Sequence, residues 1–203
     1  MASPLSHALG KRQTCPSIHI FGARETTASP GYGSAGQLVD AIISANPGAT
    51  SEAIDYPASG DNPWYAESRE TGVSAVNSQV AAFASQCPDT QLVVVGYSQG
   101  GEIFNLALCQ GSSISSYNIK AAIFFGAPTF NAGASYDVGT STLPSPAPPT
   151  APSTASFKAI ATRPIPICCT GSDANVHNGY EAEYGSAALP FVNSKLSASS
   201  NLC

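Results

Sequence analysis

Charged side chains are scarce in this chain of 203 residues. Only 10% of its residues are Asp, Glu, Lys or Arg, against about 25% in a typical globular domain. The net charge is −5 and no basic stripe occurs, which argues against a nucleic-acid-binding protein. No apolar run approaches the length that a bilayer requires, so we expect no membrane span.

Histidine and cysteine are also few, with three and six copies. The cysteines form no C-x-x-C pair, so we expect no zinc site and no other cofactor. Six cysteines in a chain poor in lysine and rich in Ser, Thr, Gly, Ala and Pro instead indicate disulfides and an extracellular location. The length predicts one domain, and a hydrophobic content of 43% is enough for a sizeable core.

A dibasic pair, Lys11-Arg12, stands directly before Gln13. Such a pair is typical of a propeptide cleavage site, with a chance Lys-Arg pair as the alternative. We therefore expect residues 1–12 to be a removable segment and residues 13–203 to form the folded domain. Residues 1–10 lack the apolar core of a secretory signal, so the expectation of secretion comes from the dibasic pair and the composition.

The most informative motif is Gly-Tyr-Ser-Gln-Gly at 96–100, which reads G-x-S-x-G. It follows an apolar, β-branched run at 91–95 and precedes a helical pattern at 101–108. Strand, tight turn and helix form a nucleophile elbow, whose strained turn projects the serine Oγ from the sheet. The pattern predicts that Ser98 is a nucleophile, with the helix N-terminus supplying N–H groups for an oxyanion. A structural turn is the alternative, because Gly and Ser are common.

Apolar segments and helical patterns alternate along the chain. Strands are predicted at 17–21, 53–56, 92–95 and 121–125, and helices at 36–44, 73–86, 101–108 and 180–196. This alternation predicts an α/β fold, with a parallel sheet covered by helices on both faces and joined by right-handed crossovers. Reactive groups in such a fold lie at the carboxyl ends of the strands.

A serine nucleophile needs a general base, and the three histidines are the candidates. His7 lies in the removable segment. His19 lies inside the first predicted strand and is expected to be structural. His177 comes after the last strand region, which matches the chain order serine, acid, histidine of α/β hydrolases. We predict His177 as the base, with a plain loop histidine as the alternative.

Several blocks of sequence carry a family likeness. They are Cys-Pro at 15–16, Phe-Gly-Ala-Arg-Glu-Thr-Thr at 21–27, Cys-Pro-Asp-Thr-Gln-Leu at 87–92, the elbow, Cys-Cys-Thr-Gly at 168–171, Asn-Val-His at 175–177 and Glu-Tyr-Gly at 183–185. With these blocks the chain resembles fungal acetylxylan esterases of the cutinase superfamily over residues 15–137 and 168–196. The resemblance implies a three-layer α/β/α sandwich with a central parallel sheet and an open serine site without a lid.

The resemblance also assigns roles to residues. Carried over by position, it makes Ser98 the nucleophile and His177 the base. The oxyanion donors would be Thr26 and the backbone N–H of Gln99. It further implies a disulfide between Cys15 and Cys87, and no pairing is assigned to the four remaining cysteines: Cys109, Cys168, Cys169 and Cys203.

The implied activity is the removal of acetyl groups from xylan by a secreted, monomeric esterase. The polar segment at 173–178 resembles acetylxylan esterases more than cutinases, whose corresponding loop is apolar. A cutinase-like esterase and a catalytically silent cell-wall or carbohydrate-binding homologue are the alternatives.

One segment departs from the family. The position of the family's triad aspartate falls on Ile165, three family cysteines are missing from 141–161, and residues 141–156 read as a Pro/Ala/Ser/Thr-rich linker. Residues 158–167 can be encoded by a DNA sequence that gives a different peptide when it is translated from two bases further on. That peptide is Ser-Tyr-Cys-Asp-Ala-Thr-Asp-Pro-Tyr, which is almost the family segment. We interpret residues of about 141–167 as the product of a shifted reading frame, with ordinary divergence as the alternative.

This departure predicts that 141–167 is the worst-folded part of the chain, although residues 157–161 can still supply a short apolar strand, and that activity is low. Loss of the triad acid costs about 10⁴ in kcat in a protease example. Asp173, four residues before His177, is the nearest substitute acid, and a role as a surface loop residue is its alternative.

Overall fold

The computed structural model describes residues 14–109, 113–129, 137–138, 157–160 and 174–196. Helices and strands alternate along these ranges. They are β1 (Ile18–Ala23), α1 (Gly36–Ala45), β2 (Thr50–Ala53), α2 (Trp64–Gln86), β3 (Gln91–Tyr97), α3 (Gln99–Cys109), β4 (Ile119–Phe125), β5 (Asp137–Val138), β6 (Phe157–Ile160), α4 (Ala174–Asn178) and α5 (Tyr180–Leu196).

The described strands form one parallel sheet in the order β2-β1-β3-β4-β6-β5. The predicted parallel sheet is therefore confirmed. The chain runs from β1 outward to β2, then returns past β1 to β3 and continues in the opposite direction. The gap between β1 and β3 is thus the topological switch point, and open α/β sheets bind ligands there, outside the carboxyl ends of the strands.

Helices cover both faces of the sheet. Helix α1 packs on α5, and α2 packs on α3. Right-handed crossovers change face when the direction of strand addition reverses, so the two helix pairs lie on opposite faces. The middle strands β1, β3 and β4 are buried over almost their whole length, as strands covered on both sides must be.

Two predicted element boundaries were wrong. The second strand covers Thr50–Ala53 and not residues 53–56. This strand lies at the edge of the sheet and is half-exposed, so most of its residues are polar. The apolar signal came instead from Ile54 and Tyr56, which are buried just past the strand end, where their carbonyl oxygens accept hydrogen bonds from the Arg24 guanidinium.

The second helix begins at Trp64, nine residues before the predicted start at Val73. Gly72 lies inside this helix, although glycine weakens helix interiors. Its role is packing: a Cβ at Gly72 would stand 2.8 Å from Cγ2 of Ile103. The missing side chain lets α2 approach α3 closely.

A disulfide joins Cys15 to Cys87, as the family resemblance implied. It ties the segment before β1 to the segment that enters β3. Thr90 Oγ1 adds a hydrogen bond to the carbonyl oxygen of Pro16 over 2.7 Å. Residues 1–13, 141–156, 161–167 and the cysteines at 168, 169 and 203 lie outside the described residues, and the predictions made for them are not tested. Across the helices that are described, none has the length and apolar content of a membrane span.

His19 has the structural surroundings expected of it. It is buried in β1, its Nδ1 lies 2.6 Å from Thr50 Oγ1, and its ring stacks on Phe83 with 3.8 Å between centroids. Burial lowers the pKa of His19 to about 4. The ring is therefore neutral at physiological pH and stabilises the contact between β1 and α2.

Candidate active site

Ser98 lies between the end of β3 and the start of α3, in the conformation of an elbow. Its φ is +51°, in the left-handed region that non-glycine residues rarely occupy. The strained backbone is held on both sides: its N–H donates to Phe125 O at the end of β4 over 2.8 Å, and its carbonyl oxygen accepts from Glu102 N over 3.0 Å. Such strain persists where the surroundings enforce it, most often at functional sites.

The glycines around Ser98 are required by close backbone contacts. A Cβ at Gly96 would stand 2.5 Å from the carbonyl oxygen of Gly100, and a Cβ at Gly100 would stand 2.2 Å from the carbonyl oxygen of Ala23. The second contact presses the N-terminus of α3 against the end of β1. It brings Ser98 beside the segment that carries Thr26.

Thr26 and Ser98 present buried hydroxyls to this switch point. Among the residues that the structure describes, neither Thr26 Oγ1 nor Ser98 Oγ has a hydrogen-bond partner. Buried polar atoms are nearly always satisfied, so two orphan hydroxyls at one site indicate a place kept for a ligand. Gln99 is the first residue of α3, and its backbone N–H has no partner inside the helix.

His177 lies in the short helix α4, at the same edge of the sheet. The polar segment at 173–178 was expected to be a loop; that expectation is wrong for its described part, Ala174–Asn178, which is helical. The Tyr97 hydroxyl donates to the carbonyl oxygen of His177, and the two rings meet edge to face with 5.8 Å between centroids. A Cβ at Gly126 would stand 3.1 Å from Cε1 of His177. The imidazole therefore lies over the ends of β3 and β4.

Ser98 Oγ makes no hydrogen bond to any residue that the structure describes, so none joins it to His177. Both residues nevertheless stand at the carboxyl ends of β3 and β4, where the Ser98 N–H donates to Phe125 O and the His177 ring contacts Tyr97. Catalytic hydrogen bonds are often long or poorly aligned before substrate binds, so the missing hydrogen bond does not exclude a nucleophile and its base. The pairing itself stays a prediction.

The acid of the triad is not identified among the described residues. His177 Nδ1 is buried and has no hydrogen-bond acceptor within that part of the chain. Ile165 and Asp173 both lie outside it, so the loss of the acid and its replacement by Asp173 stay predictions.

Glu25 is a charged neighbour that the sequence did not indicate. Burial lowers the pKa of His177, and the Glu25 carboxylate opposes this by favouring the imidazolium. The carboxylate is held by the N–H and the hydroxyl of Ser34, each at 2.8 Å. The only sequence signal was its position beside Thr26, directly after β1.

A second carboxyl group, that of Glu102, is buried on α3 one turn after Ser98. The Tyr65 hydroxyl donates to its Oε2 over 2.5 Å, and Arg69 Nη1 lies 3.6 Å from Oε1. Burial raises the pKa of Glu102. A glutamate amid the apolar residues of a helix was the signal that could have revealed this cluster.

A strained serine elbow at the switch point of a parallel sheet, with a histidine at the same edge, defines a serine hydrolase of the α/β type. Comparison with known proteins gives the family. The model of the Cutinase family matches residues 14–196, and the chain belongs to that family.

Several similar proteins are named either acetylxylan esterase or cutinase. Acetylxylan esterase 2 of Talaromyces purpureogenus is 49% identical, over 96% of this chain and 93% of its own length. Cutinase 11 of Verticillium dahliae is 46% identical, over 95% of this chain and 73% of its own. A crystal structure of an acetylxylan esterase, 49% identical, superposes with a TM-score of 0.83 and covers 90% of this chain and 100% of its own. The chain is thus a serine carboxylic-ester hydrolase by family.

Proposed function

We propose that this protein is a secreted acetylxylan esterase that hydrolyses acetyl esters on xylan. The observation that carries the proposal is the elbow, in which Ser98 is held at φ +51° with an unpartnered Oγ. The likeness to acetylxylan esterases over nearly the whole chain supports the substrate. The disulfide between Cys15 and Cys87 supports an extracellular location.

The arrangement supports acyl transfer through a covalent intermediate. Ser98 Oγ attacks the acetyl carbonyl while His177 takes the hydroxyl proton, and His177 then gives that proton to the sugar oxygen as its bond to the acetyl carbon breaks. Water then attacks the acetyl-serine while His177 takes its proton, and His177 passes that proton to Ser98 Oγ as the acyl–oxygen bond breaks and acetate leaves. Thr26 Oγ1 and the Gln99 N–H hold the negative charge that develops on the carbonyl oxygen in both steps.

The burial of the two proposed catalytic residues favours a substrate with a small acyl group. Ser98 is only 1% exposed and His177 only 9%. An acyl chain of many carbons needs an open groove beside the nucleophile, whereas an acetyl group needs little more room than a methyl. The burial of both residues therefore favours acetyl esters.

The exposed side chains favour a polysaccharide over a lipid polyester. In α4, beside His177, Asn175 and Asn178 are exposed. Trp64, with 59% exposure, is the one exposed large apolar side chain among the described residues. A cutinase-like esterase would present a broad apolar rim to its substrate, and the described surface has none.

The proposed enzyme is weak as the sequence stands. Within the described part of the chain His177 Nδ1 has no acceptor, which supports this, because a histidine without an acceptor loses control of its tautomer and orientation. The same observation favours the second candidate, a catalytically silent cell-wall or carbohydrate-binding homologue that keeps the fold.

A substrate panel tests the proposal. We expect acetate release from acetylated xylan and hydrolysis of p-nitrophenyl acetate, little hydrolysis of p-nitrophenyl palmitate, and none of a polyester film. The matched control is Ser98→Ala, which should remove the activity on both acetyl substrates. A preference for the palmitate or the film would favour the cutinase-like alternative, and activity retained in Ser98→Ala would overturn the assignment of the nucleophile.

A further inference from the structure

The side chain of Gln99 has no part in the chemistry proposed above, although its backbone N–H does. That side chain is nonetheless fully buried, with 0% exposure. A buried primary amide is costly unless its donors and its acceptor are satisfied. The partners that satisfy it show what the side chain does.

A closed ring of three hydrogen bonds holds the Gln99 amide. Its Nε2 donates to the carbonyl oxygen of Ser59 over 3.2 Å, and its Oε1 accepts from Ser68 Oγ over 3.1 Å. The ring closes because the backbone N–H of Ser59 donates to Ser68 Oγ over 3.0 Å. We call Gln99, Ser59 and Ser68, with the three hydrogen bonds that join them, the Gln99 clamp. It joins the start of α3, the buried side of α2 and the loop at 54–63.

The opposite side of that loop touches the segment that carries Thr26. The backbone N–H of Thr27 donates to the carbonyl oxygen of Ala58 over 2.7 Å. A Cβ at Gly60 would stand 3.0 Å from Cγ2 of Thr26 and 3.2 Å from Cγ2 of Thr27. Residues 58–60 are therefore wedged between the Gln99 side chain and the Thr26 segment.

Both members of the hydrogen bond between Thr27 and Ala58 have strained backbones. Thr27 has φ +64° and Ala58 has φ +53°. Threonine and alanine rarely adopt this region, and they keep it only where neighbouring contacts enforce it. The clamp supplies such contacts on the side of Ala58, through Ser59.

We propose that the Gln99 clamp is a positioning device that sets Thr26 Oγ1 against the backbone N–H of Gln99. This inference rests on the proposed function, which makes these two groups the oxyanion donors. Donors stabilise an oxyanion only when each stands about 3 Å from the position that the charged oxygen takes. One residue then supplies a donor through its backbone and positions the second donor through its side chain.

A double-mutant cycle tests the clamp. The readout is the rate at which a p-nitrophenyl alkylphosphonate labels Ser98, since the phosphoryl oxygen develops charge in the same place and slow labelling can be followed for hours. Removal of one oxyanion donor costs about 10²–10³ in rate, and Thr26→Val should show a loss of that order. Ser68→Ala, which opens the ring, should slow labelling about tenfold by displacing Thr26.

The decisive measurement is Ser68→Ala in the Thr26→Val background, where no hydroxyl remains to be displaced. We expect no further loss there. The matched control is Ser78→Ala, on an exposed position of the same helix whose hydroxyl bonds only to the Ala75 carbonyl, and it should label at the wild-type rate. Thermal unfolding of each variant separates a change in stability from a change in rate.

The other possible outcomes contradict either the role of the clamp or the proposed function. Equal losses from Ser68→Ala in both backgrounds would show that the clamp does not act through Thr26. A lowered melting temperature with an unchanged labelling rate would show that its role is only structural. A wild-type chain that takes no label at Ser98 would overturn the proposed function itself, whereas labelling without coupling between the two variants would overturn this inference alone.

Discussion

His177 is subject to two opposing effects at the scale of the single residue. Burial disfavours the imidazolium and lowers the pKa, and the Glu25 carboxylate favours the imidazolium and raises it. Burial is the larger effect, so the folded protein keeps His177 neutral to a lower pH than the ordinary value of about 6.5. The neutral ring is the form that a general base needs.

The pH profile should follow from this balance. We expect kcat/KM on p-nitrophenyl acetate to decline on the acidic side as His177 takes up a proton, with the midpoint of that decline below 6.5. Glu25→Gln removes the attraction for the imidazolium, so it should lower the pKa further and move the acidic limb to lower pH. The matched control is Glu70→Gln, on an exposed position of α2. An acidic limb that stays in place or moves upward in Glu25→Gln would contradict this electrostatic account.

The sequence was most informative about residues that act through a local motif. Ser98 and the glycines around it could be predicted because an elbow needs them within five positions. Glu25 could not, because its contacts with Ser34 and its field at His177 exist only after the chain has turned back on itself. The side chain of Gln99 was missed for the same reason, since its partners at 59 and 68 lie far away in sequence.

The elbow, at the scale of the element, depends on how closely α3 approaches β1. We predict that Gly100→Ala, whose Cβ would stand 2.2 Å from a backbone oxygen of Ala23, lowers the free energy of unfolding by about 1–3 kcal/mol. It should also reduce activity, because the N-terminus of α3 must move away from the Thr26 segment. Chemical denaturation and the acetate assay measure the two effects.

Gly36→Ala is the matched control, because Gly36 also begins a helix. A Cβ there would lie 3.4 Å from Cβ of Tyr32, an ordinary contact. Alanine in a helix is favoured over glycine by roughly 0.5–1 kcal/mol, so this variant should be neutral or slightly stabilised. Gly100→Ala with wild-type stability and activity would refute the packing argument.

The segment that departs from the family gives a second prediction at this scale. A variant with the family sequence at 141–167, including aspartate at 165 and the missing cysteines, should be more active by orders of magnitude. The reason is that a carboxylate would then accept the hydrogen bond from His177 Nδ1. The same variant with asparagine at 165 keeps the shape without the charge and is the control. Equal activity of the original and the restored chain would show that no acid is missing.

Periodicity predicted the buried elements best. The final helix, Tyr180–Leu196, agrees with its prediction at both ends, and the strands of the sheet centre agree within a few residues. The edge strand β2 did not follow the rule, because hydrophobicity reports burial and not strand geometry. Ile54 and Tyr56 are buried beside Arg24 without belonging to a strand.

At the scale of the whole molecule, the order of the strands determines where the candidate active site lies. Alternation of strands and helices predicted the parallel sheet, and the reversal between β1 and β3 then placed Thr26 and Ser98 at one edge. The disulfide lies at the opposite end of these strands, where β1 and β3 begin. Its partners could be predicted from the family resemblance, because six cysteines alone allow many pairings.

Removal of that disulfide should weaken the whole fold without touching the site. The bridge spans 72 positions of the chain, and closing such a loop is worth about 4 kcal/mol in the chain-entropy model. The double variant Cys15→Ser, Cys87→Ser should lose about that much in denaturant unfolding, whereas Cys109→Ser leaves the bridge intact and should lose far less. A double variant as stable as the original chain would contradict the estimate.

The most direct test of the account is the site at which an organophosphonate reacts. The intact protein, treated with a p-nitrophenyl alkylphosphonate and digested, should carry one phosphonyl group, on Ser98 of the peptide that contains 96–100. The Ser98→Ala protein, folded and treated in the same way, should carry none. A label on another serine, or the same label in the alanine variant, would contradict the claim that this chain is an esterase with Ser98 as its nucleophile.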